Sequence, residues 1–225
     1  MSVSPAPVCV LLSGGVDSAA LLVRLLAEGR RVVPLNLQCG LIWEAAELYW
    51  TRRFLRAVRA PRLEPLRVVD VPLASTYGRH WSLTGRGVPG AASADAAVFL
   101  PGRNVLLVSH AAVVCARRGI RDIALGTLKG NPFGDASPRF FAQLAGCLTQ
   151  ALGRPIRVLM PLRRTTKHGV IRASRGIPFG LTFSCLRPSG YIHCGRCNKC
   201  AERRRAFRET GVPDPTTYAT ESRVS

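Results

Sequence analysis

The chain has 225 residues, 47% of them hydrophobic and 20% charged. That is enough to bury the core of one large domain with at most a small appendage, and it argues against disorder. The 21 glycines and 16 prolines follow no period, and no apolar run approaches the ~18 residues of a membrane span. Collagen-like, low-complexity and membrane-spanning classes are therefore excluded. No basic stretch precedes an apolar one in the first seven residues, and the reading is a soluble cytoplasmic protein.

The formal net charge is +19, and of 32 basic residues three are lysine (Lys129, Lys167 and Lys199) and 29 arginine. Such a balance suits a nucleic acid or an anionic small ligand. The arginines are dispersed as singles, pairs and one triplet (Arg203, Arg204 and Arg205), with no basic tail. Direct nucleic-acid binding is not expected. The charge reads as a preference for Arg over Lys together with a phosphate-bearing ligand.

In chain order, a short apolar run over 8–12 that ends in glycines predicts a buried parallel strand. Apolar spacing predicts a helix over 17–28, stopped by Gly29. A strand over 31–37 follows, then an amphipathic helix over 43–58 with Ala46, Tyr49, Trp50, Phe54, Leu55 and Val58 as its buried stripe. A third strand covers 66–71. The irregular stretch 72–100 reads as an insertion or lid. Beyond it come a helix over 104–118, a strand over 122–126, a helix over 138–152, a strand over 157–160 and a helix over 165–174. From 178 to 225 the chain reads as a Cys- and Arg-rich tail. Strands alternating with helices predict a doubly wound α/β fold on a mostly parallel five-stranded sheet. Ligands of such sheets sit at the carboxyl ends of the strands. The pattern changes near Gly176, which divides the chain into 1–176 and a small segment 177–225.

Between the first strand and first helix stands Leu12-Ser13-Gly14-Gly15-Val16-Asp17-Ser18. Two glycines allow a tight turn that brings backbone N–H groups to an anion, and the following helix points its positive end there. Ser13 and Ser18 add hydroxyls, and Asp17 offers a carboxylate suited to Mg²⁺. No Gly-Lys-Ser/Thr follows, so this is not the ATPase P-loop. The segment resembles the SGGxDS loop of N-type ATP pyrophosphatases, whose fold is adenine nucleotide alpha hydrolase-like and which cleave ATP to AMP and pyrophosphate while adenylating a substrate oxygen.

Of eight cysteines, Cys9, Cys39, Cys115 and Cys147 are far apart, whereas Cys185, Cys194, Cys197 and Cys200 fall within sixteen positions. The C-x2-C-x2-C run with one cysteine upstream suits a closed Cys₄ site. Structural Zn²⁺ and an iron–sulfur cluster both satisfy that ligand set.

Taken together, these segments resemble the 7-cyano-7-deazaguanine synthase (QueC) family over nearly the whole chain. The resemblance rests on Ser13 to Ser18, Pro101-Gly102-Arg103-Asn104, Thr166-Lys167 and Thr182-Phe183-Ser184-Cys185. It continues through His193-Cys194-Gly195-Arg196-Cys197-Asn198-Lys199-Cys200 and ends at Gly211-Val212-Pro213-Asp214-Pro215-Thr216-Thr217-Tyr218. It implies an ATP-dependent carbon–nitrogen ligase that adenylates 7-carboxy-7-deazaguanine and uses ammonia to form the nitrile. It implies ATP and Mg²⁺ at residues 12–18, with Asp17, Arg103 and Lys167 serving catalysis. Zn²⁺ is expected at Cys185, Cys194, Cys197 and Cys200, and the assembly is expected to be a homodimer.

The chain departs from the family pattern in three places. Asn36-Leu37-Gln38-Cys39-Gly40 replaces a Tyr-Gly-Gln type turn, Gly169 replaces a Glu, and residues 127–141 replace a Tyr-Pro-Asp-Cys-Arg type substrate loop. Asp135 is the acid in that last stretch. A paralogue that activates another carboxylate, or joins a deazaguanine to a different acceptor, remains open. So does a tRNA-modifying enzyme, for which Cys39 would be the spare thiol, and a non-enzymatic zinc module that binds RNA.

Overall fold

The computed structural model describes residues 6–174 and 176–219; residues 1–5, 175 and 220–225, which include the ends of both expected segments, lie outside the described residues. Five strands form one sheet: β1 (Val8–Leu11), β2 (Val32–Gln38), β3 (Arg67–Asp70), β4 (Asp122–Ala124) and β5 (Arg157–Leu159). All pairings are parallel and the order is β3-β2-β1-β4-β5. The order reverses at β1, which pairs with β2 on one side and β4 on the other. In doubly wound sheets the ligand crevice opens at that reversal.

The three central strands, β1, β2 and β4, are buried because they are covered on both faces, whereas the edge strands β3 and β5 stay partly exposed. Val8, Val10 and Leu12 pack with Leu21, Leu22 and Leu25 of α1 (Val16–Ala27). Cys9 faces the other way, into a cluster with Val108, Ala111 and Cys115 of a later helix, Arg103–Ala116. Pro34 lies inside β2, where it pairs with Val10 of β1, and it precedes Leu35↔Arg67, the first rung to β3.

The remaining helices are α2 (Glu44–Val58), α3 (Ala74–Tyr77), α4 (Trp81–Thr84), α5 (Arg103–Ala116), α6 (Pro138–Leu152), α7 (Lys167–Ala173) and α8 (Asn198–Thr210). Tyr49 of α2 is not buried as the periodicity suggests: it is 38% exposed and stacks on Tyr191, centroids 4.5 Å apart. The stretch 72–100 holds α3, α4 and a 3₁₀ turn at Asp95–Val98. It is tied down on both sides. Trp81 stacks on Trp43, while Asn198 donates to Pro89 O from its backbone and to Ser93 O from its side chain.

Helix α8 corrects the expectation of a mere tail. Its buried positions are Asn198, Cys200, Arg203, Ala206 and Phe207, a helical stripe in which an arginine occupies an apolar position. Arg203 is 3% exposed and donates to Thr216 Oγ1, Thr182 Oγ1 and Phe179 O, with its guanidinium over the Phe207 ring. Several other arginines are structural too. Arg30 and Arg157 both bind Asp122, itself 1% exposed, and Arg157 does so through two hydrogen bonds.

Candidate active site

The glycine loop sits at the carboxyl end of β1, where the sheet order reverses. Gly14 takes φ +81, and a Cβ there would lie 2.5 Å from Thr51 Oγ1, so α2 can approach only because this residue is glycine. Gly15 is the N-cap of α1 and no side chain caps the helix, which leaves its first-turn N–H groups for an anion. Ser13 Oγ and Ser18 Oγ lie 3.2 Å apart, and Asn36 Nδ2 donates to Leu12 O at 2.8 Å. From the C-terminal segment, Phe183 N–H donates to Gly14 O at 2.8 Å.

A cleft of about 370 Å³ opens beside this loop and is lined by Leu12, Ser13, Gly15, Val16, Asp17 and Ser18; Gly14 stands behind it. Lys167 and Arg103 also line it, so one cleft brings together residues from α1, α5 and α7. Lys167, the first residue of α7, places Nζ 2.7 Å from Asp17 Oδ2 and 3.1 Å from Glu202 Oε1. Burial works against the Lys167 charge, but Asp17 and Glu202 outweigh it and hold the ammonium well above its ordinary range. Burial likewise opposes the Glu202 charge, and Lys167 and Lys199 overcome it, so Glu202 is pushed down to about 2. Asp17 Oδ1 is buried with no partner among the described residues. An orphaned carboxylate oxygen beside an uncapped helix start suits a hard divalent cation carried by a phosphate ligand.

Farther along the cleft, Gly102 at φ +67 caps α5 and directs Arg103 inward. Arg103 Nε is buried with no acceptor. Asp135 Oδ2 accepts from Asn104 N at 3.2 Å, and Phe133 stacks on Phe99 with centroids 5.0 Å apart. Glu47 lines the same region. Glu47 and Glu202 were not singled out from sequence, and Asn36 was named only as part of the altered turn after the second strand. Glu47 lies on the polar face of an amphipathic helix, Glu202 in a helix the periodicity hid, and Asn36 inside an apolar strand.

Cys39 is fully buried, and burial, with Glu44 second, pushes its thiol up to about 11, so it does not offer a ready thiolate. Glu44 accepts from the N–H groups of Cys39, Gly40 and Leu41, which closes the turn after β2.

Cys185, Cys194, Cys197 and Cys200 are all buried, and their sulfurs lie within 4.8 Å of one another. Two of the separations are 3.9 Å, close to the edge of a tetrahedron with metal–sulfur bonds of ~2.3 Å. Backbone N–H groups of Leu186, Arg187, Cys194 and Arg196 point at these sulfurs, at 3.2–3.4 Å. The cluster is therefore built for a metal ion held by thiolates.

A parallel sheet in this order, with a glycine loop at the reversal and an uncapped helix behind it, defines the class of α/β proteins with an ATP pyrophosphatase-like loop. Solved structures agree on the fold. A 4-thiouridine synthetase, in an RNA complex with bound ATP, superposes with a TM-score of 0.53 at 15% identity, over 96% of this chain and 48% of that one. A predicted tRNA methyltransferase subunit from Methanocaldococcus jannaschii does so at 0.50 and 16% identity, over 75% and 74%. Residues 7–211 match the model of the queuosine biosynthesis protein QueC, and the chain belongs to that family. Among its curated relatives are 7-cyano-7-deazaguanine synthases of Anaeromyxobacter dehalogenans (35% identity, 93% of this chain and 94% of that one) and Xanthomonas campestris pv. campestris (35%, 95% and 98%). The family places this chain among the enzymes of queuosine biosynthesis. Among the described residues no helix is long and apolar enough to cross a membrane.

Proposed function

We propose that the protein is a 7-cyano-7-deazaguanine synthase, an ATP-dependent ligase that converts 7-carboxy-7-deazaguanine to its nitrile with ammonia. The observation that carries this reading is the single cleft joining the glycine loop to the Arg103 end, because adenylation needs a nucleotide and a carboxylate side by side. In this reading the loop N–H groups hold the pyrophosphate of ATP, and Lys167 balances its charge. Asp17 Oδ1 would hold Mg²⁺, which supplies charge neutralisation at the phosphates. Arg103, with its unpartnered donor, would orient the acyl group. The carboxylate oxygen attacks the α-phosphorus and pyrophosphate leaves. Ammonia then displaces AMP to give the amide, and a second adenylation on the amide oxygen, followed by loss of AMP, leaves the nitrile.

The four-cysteine cluster would carry structural Zn²⁺, a closed site with no open position for chemistry. The buried, hard-to-ionise Cys39 thiol counts against a thiolating tRNA enzyme. The engaged Asp135 keeps the paralogue reading open, since its Oδ2 already accepts a backbone N–H. A homodimer is the assembly proposed.

The test is incubation with 7-carboxy-7-deazaguanine, ammonium and Mg-ATP, followed by mass spectrometry. The expected result is the nitrile, with ATP cleaved to AMP twice per product. Adenylation that stops at the amide would support the paralogue instead, and no AMP release across several nitrogen donors would remove the ligase reading.

A further inference from the structure

The geometry points to Glu47 as the proton acceptor for the incoming nitrogen nucleophile. This role rests on the synthase reading above, which requires ammonia to displace AMP.

Four carboxylates line the cleft: Asp17, Glu47, Asp135 and Glu202. Three are engaged. Asp17 and Glu202 share Lys167, and Asp135 accepts from Asn104 N. Glu44, next to the cleft on α2, is held by three backbone N–H groups. Among the described residues no hydrogen bond or ion pair engages the Glu47 carboxylate. It is half-buried on a rigid helix whose turn abuts the glycine loop, since the Glu47 carbonyl oxygen would lie 3.1 Å from a Cβ on Gly14. Glu47 itself lines the cleft in which the acyl adenylate would form.

The chemistry calls for such a group. At neutral pH the nitrogen arrives as ammonium and cannot attack until it gives up a proton. One proton passes from ammonium to the Glu47 carboxylate, the freed lone pair forms the new C–N bond, and the C–O bond to AMP breaks. The attacking nitrogen passes a further proton to the departing AMP phosphate, which leaves the neutral amide. Burial pushes Glu47 up to about 8, Arg103 opposes the shift and Glu44 adds to it. The Cys39 thiol also senses its charge. A carboxylate poised near neutrality is suited to exchange a proton with ammonium.

The experiment separates the two half-reactions in the full-length protein. ATP–pyrophosphate exchange with 7-carboxy-7-deazaguanine, without ammonia, reads adenylation. Amide and nitrile formation with ammonium reads the nitrogen step. Glu47→Gln should keep exchange within a few-fold and lose about 10²-fold or more in the nitrogen step. Hydroxylamine, already unprotonated at neutral pH, should restore hydroxamate formation in the variant to near the parent rate. The parent's nitrogen step should rise with pH through a limb near the Glu47 titration, and that limb should be absent in the variant. Equal loss of exchange and nitrogen step, or no rescue by hydroxylamine, would overturn the role. No exchange in the parent would overturn the synthase reading and the role with it.

Discussion

Lys167 Nζ lies 2.7 Å from Asp17 Oδ2 across 150 residues of sequence, and the same ammonium reaches Glu202. One cation thus joins α1, α7 and α8 at the mouth of the glycine loop. An arriving polyphosphate would compete with Asp17 for Lys167 and free the carboxylate for its counter-cation. Asp17→Asn keeps the shape and removes the charge. It should fold with a lowered melting temperature, because Lys167 loses one of its two charge partners, and lose about 10²-fold or more in AMP formation, since the carboxylate that would hold the phosphates' counter-cation is removed. AMP release at the parent's rate would show that Asp17 has no part in the chemistry.

The same cluster sets an acid limit on stability. Glu202 titrates at about 2 in the folded chain against an ordinary 4.5. A carboxylate with a depressed folded value stabilises fully above its unfolded value, and that contribution fades as pH falls through the folded one. Urea unfolding should therefore lose on the order of 3 kcal/mol between about pH 5 and pH 2 through this group. Glu202→Gln should flatten that part of the profile and cost stability at pH 7. An unchanged acid limb in the variant would assign the loss to other carboxylates.

Metal removal should be felt at the nucleotide. Cys185 is two residues from Phe183, whose N–H bonds Gly14 O in the glycine loop. The purified protein should be colourless with about one Zn²⁺ per chain. Cys197→Ser should lose the metal, melt the start of α8 and weaken ATP binding as well. Metal content by elemental analysis and nucleotide affinity by calorimetry check this together. A brown protein with stoichiometric iron and sulfide would replace zinc with an iron–sulfur cluster.

The alternation of short apolar runs with 3.6-period segments made the strands and most helices legible, because a two-face-covered parallel sheet leaves that pattern. The glycine loop and the cysteine spacing were legible because each is local in sequence. Helix α8 was not, since Arg203 stands where an apolar residue would mark the stripe, and its charge is satisfied by Thr182, Thr216, Phe179 and Asp214, which are brought near by folding. The same applies to Glu47 and Glu202. An acid on a helix looks solvated in sequence, and only the tertiary structure decides whether it meets Lys167, as Glu202 does, or lines a cleft, as Glu47 does.

Two glycines with ordinary φ separate packing from flexibility. A Cβ on Gly126, just past β4, would lie 3.0 Å from the Asp17 carbonyl carbon and 3.1 Å from Ser18 N. These are backbone atoms and cannot swing aside, so Gly126→Ala must push the end of β4 away from the start of α1. The expected cost is about 1–3 kcal/mol of stability. ATP affinity should fall with it, because the loop N–H groups belong to the displaced segment. Gly146, inside α6, meets nothing within 4 Å. Gly146→Ala should instead stabilise the protein by about 0.5–1 kcal/mol, through the lower backbone entropy of the unfolded chain, and leave AMP formation at the parent's rate. Thermal melts and ATP titrations of the two variants side by side check the pair. A Gly126→Ala protein with unchanged ATP affinity would mean that the β4–α1 contact does not set the geometry of the loop.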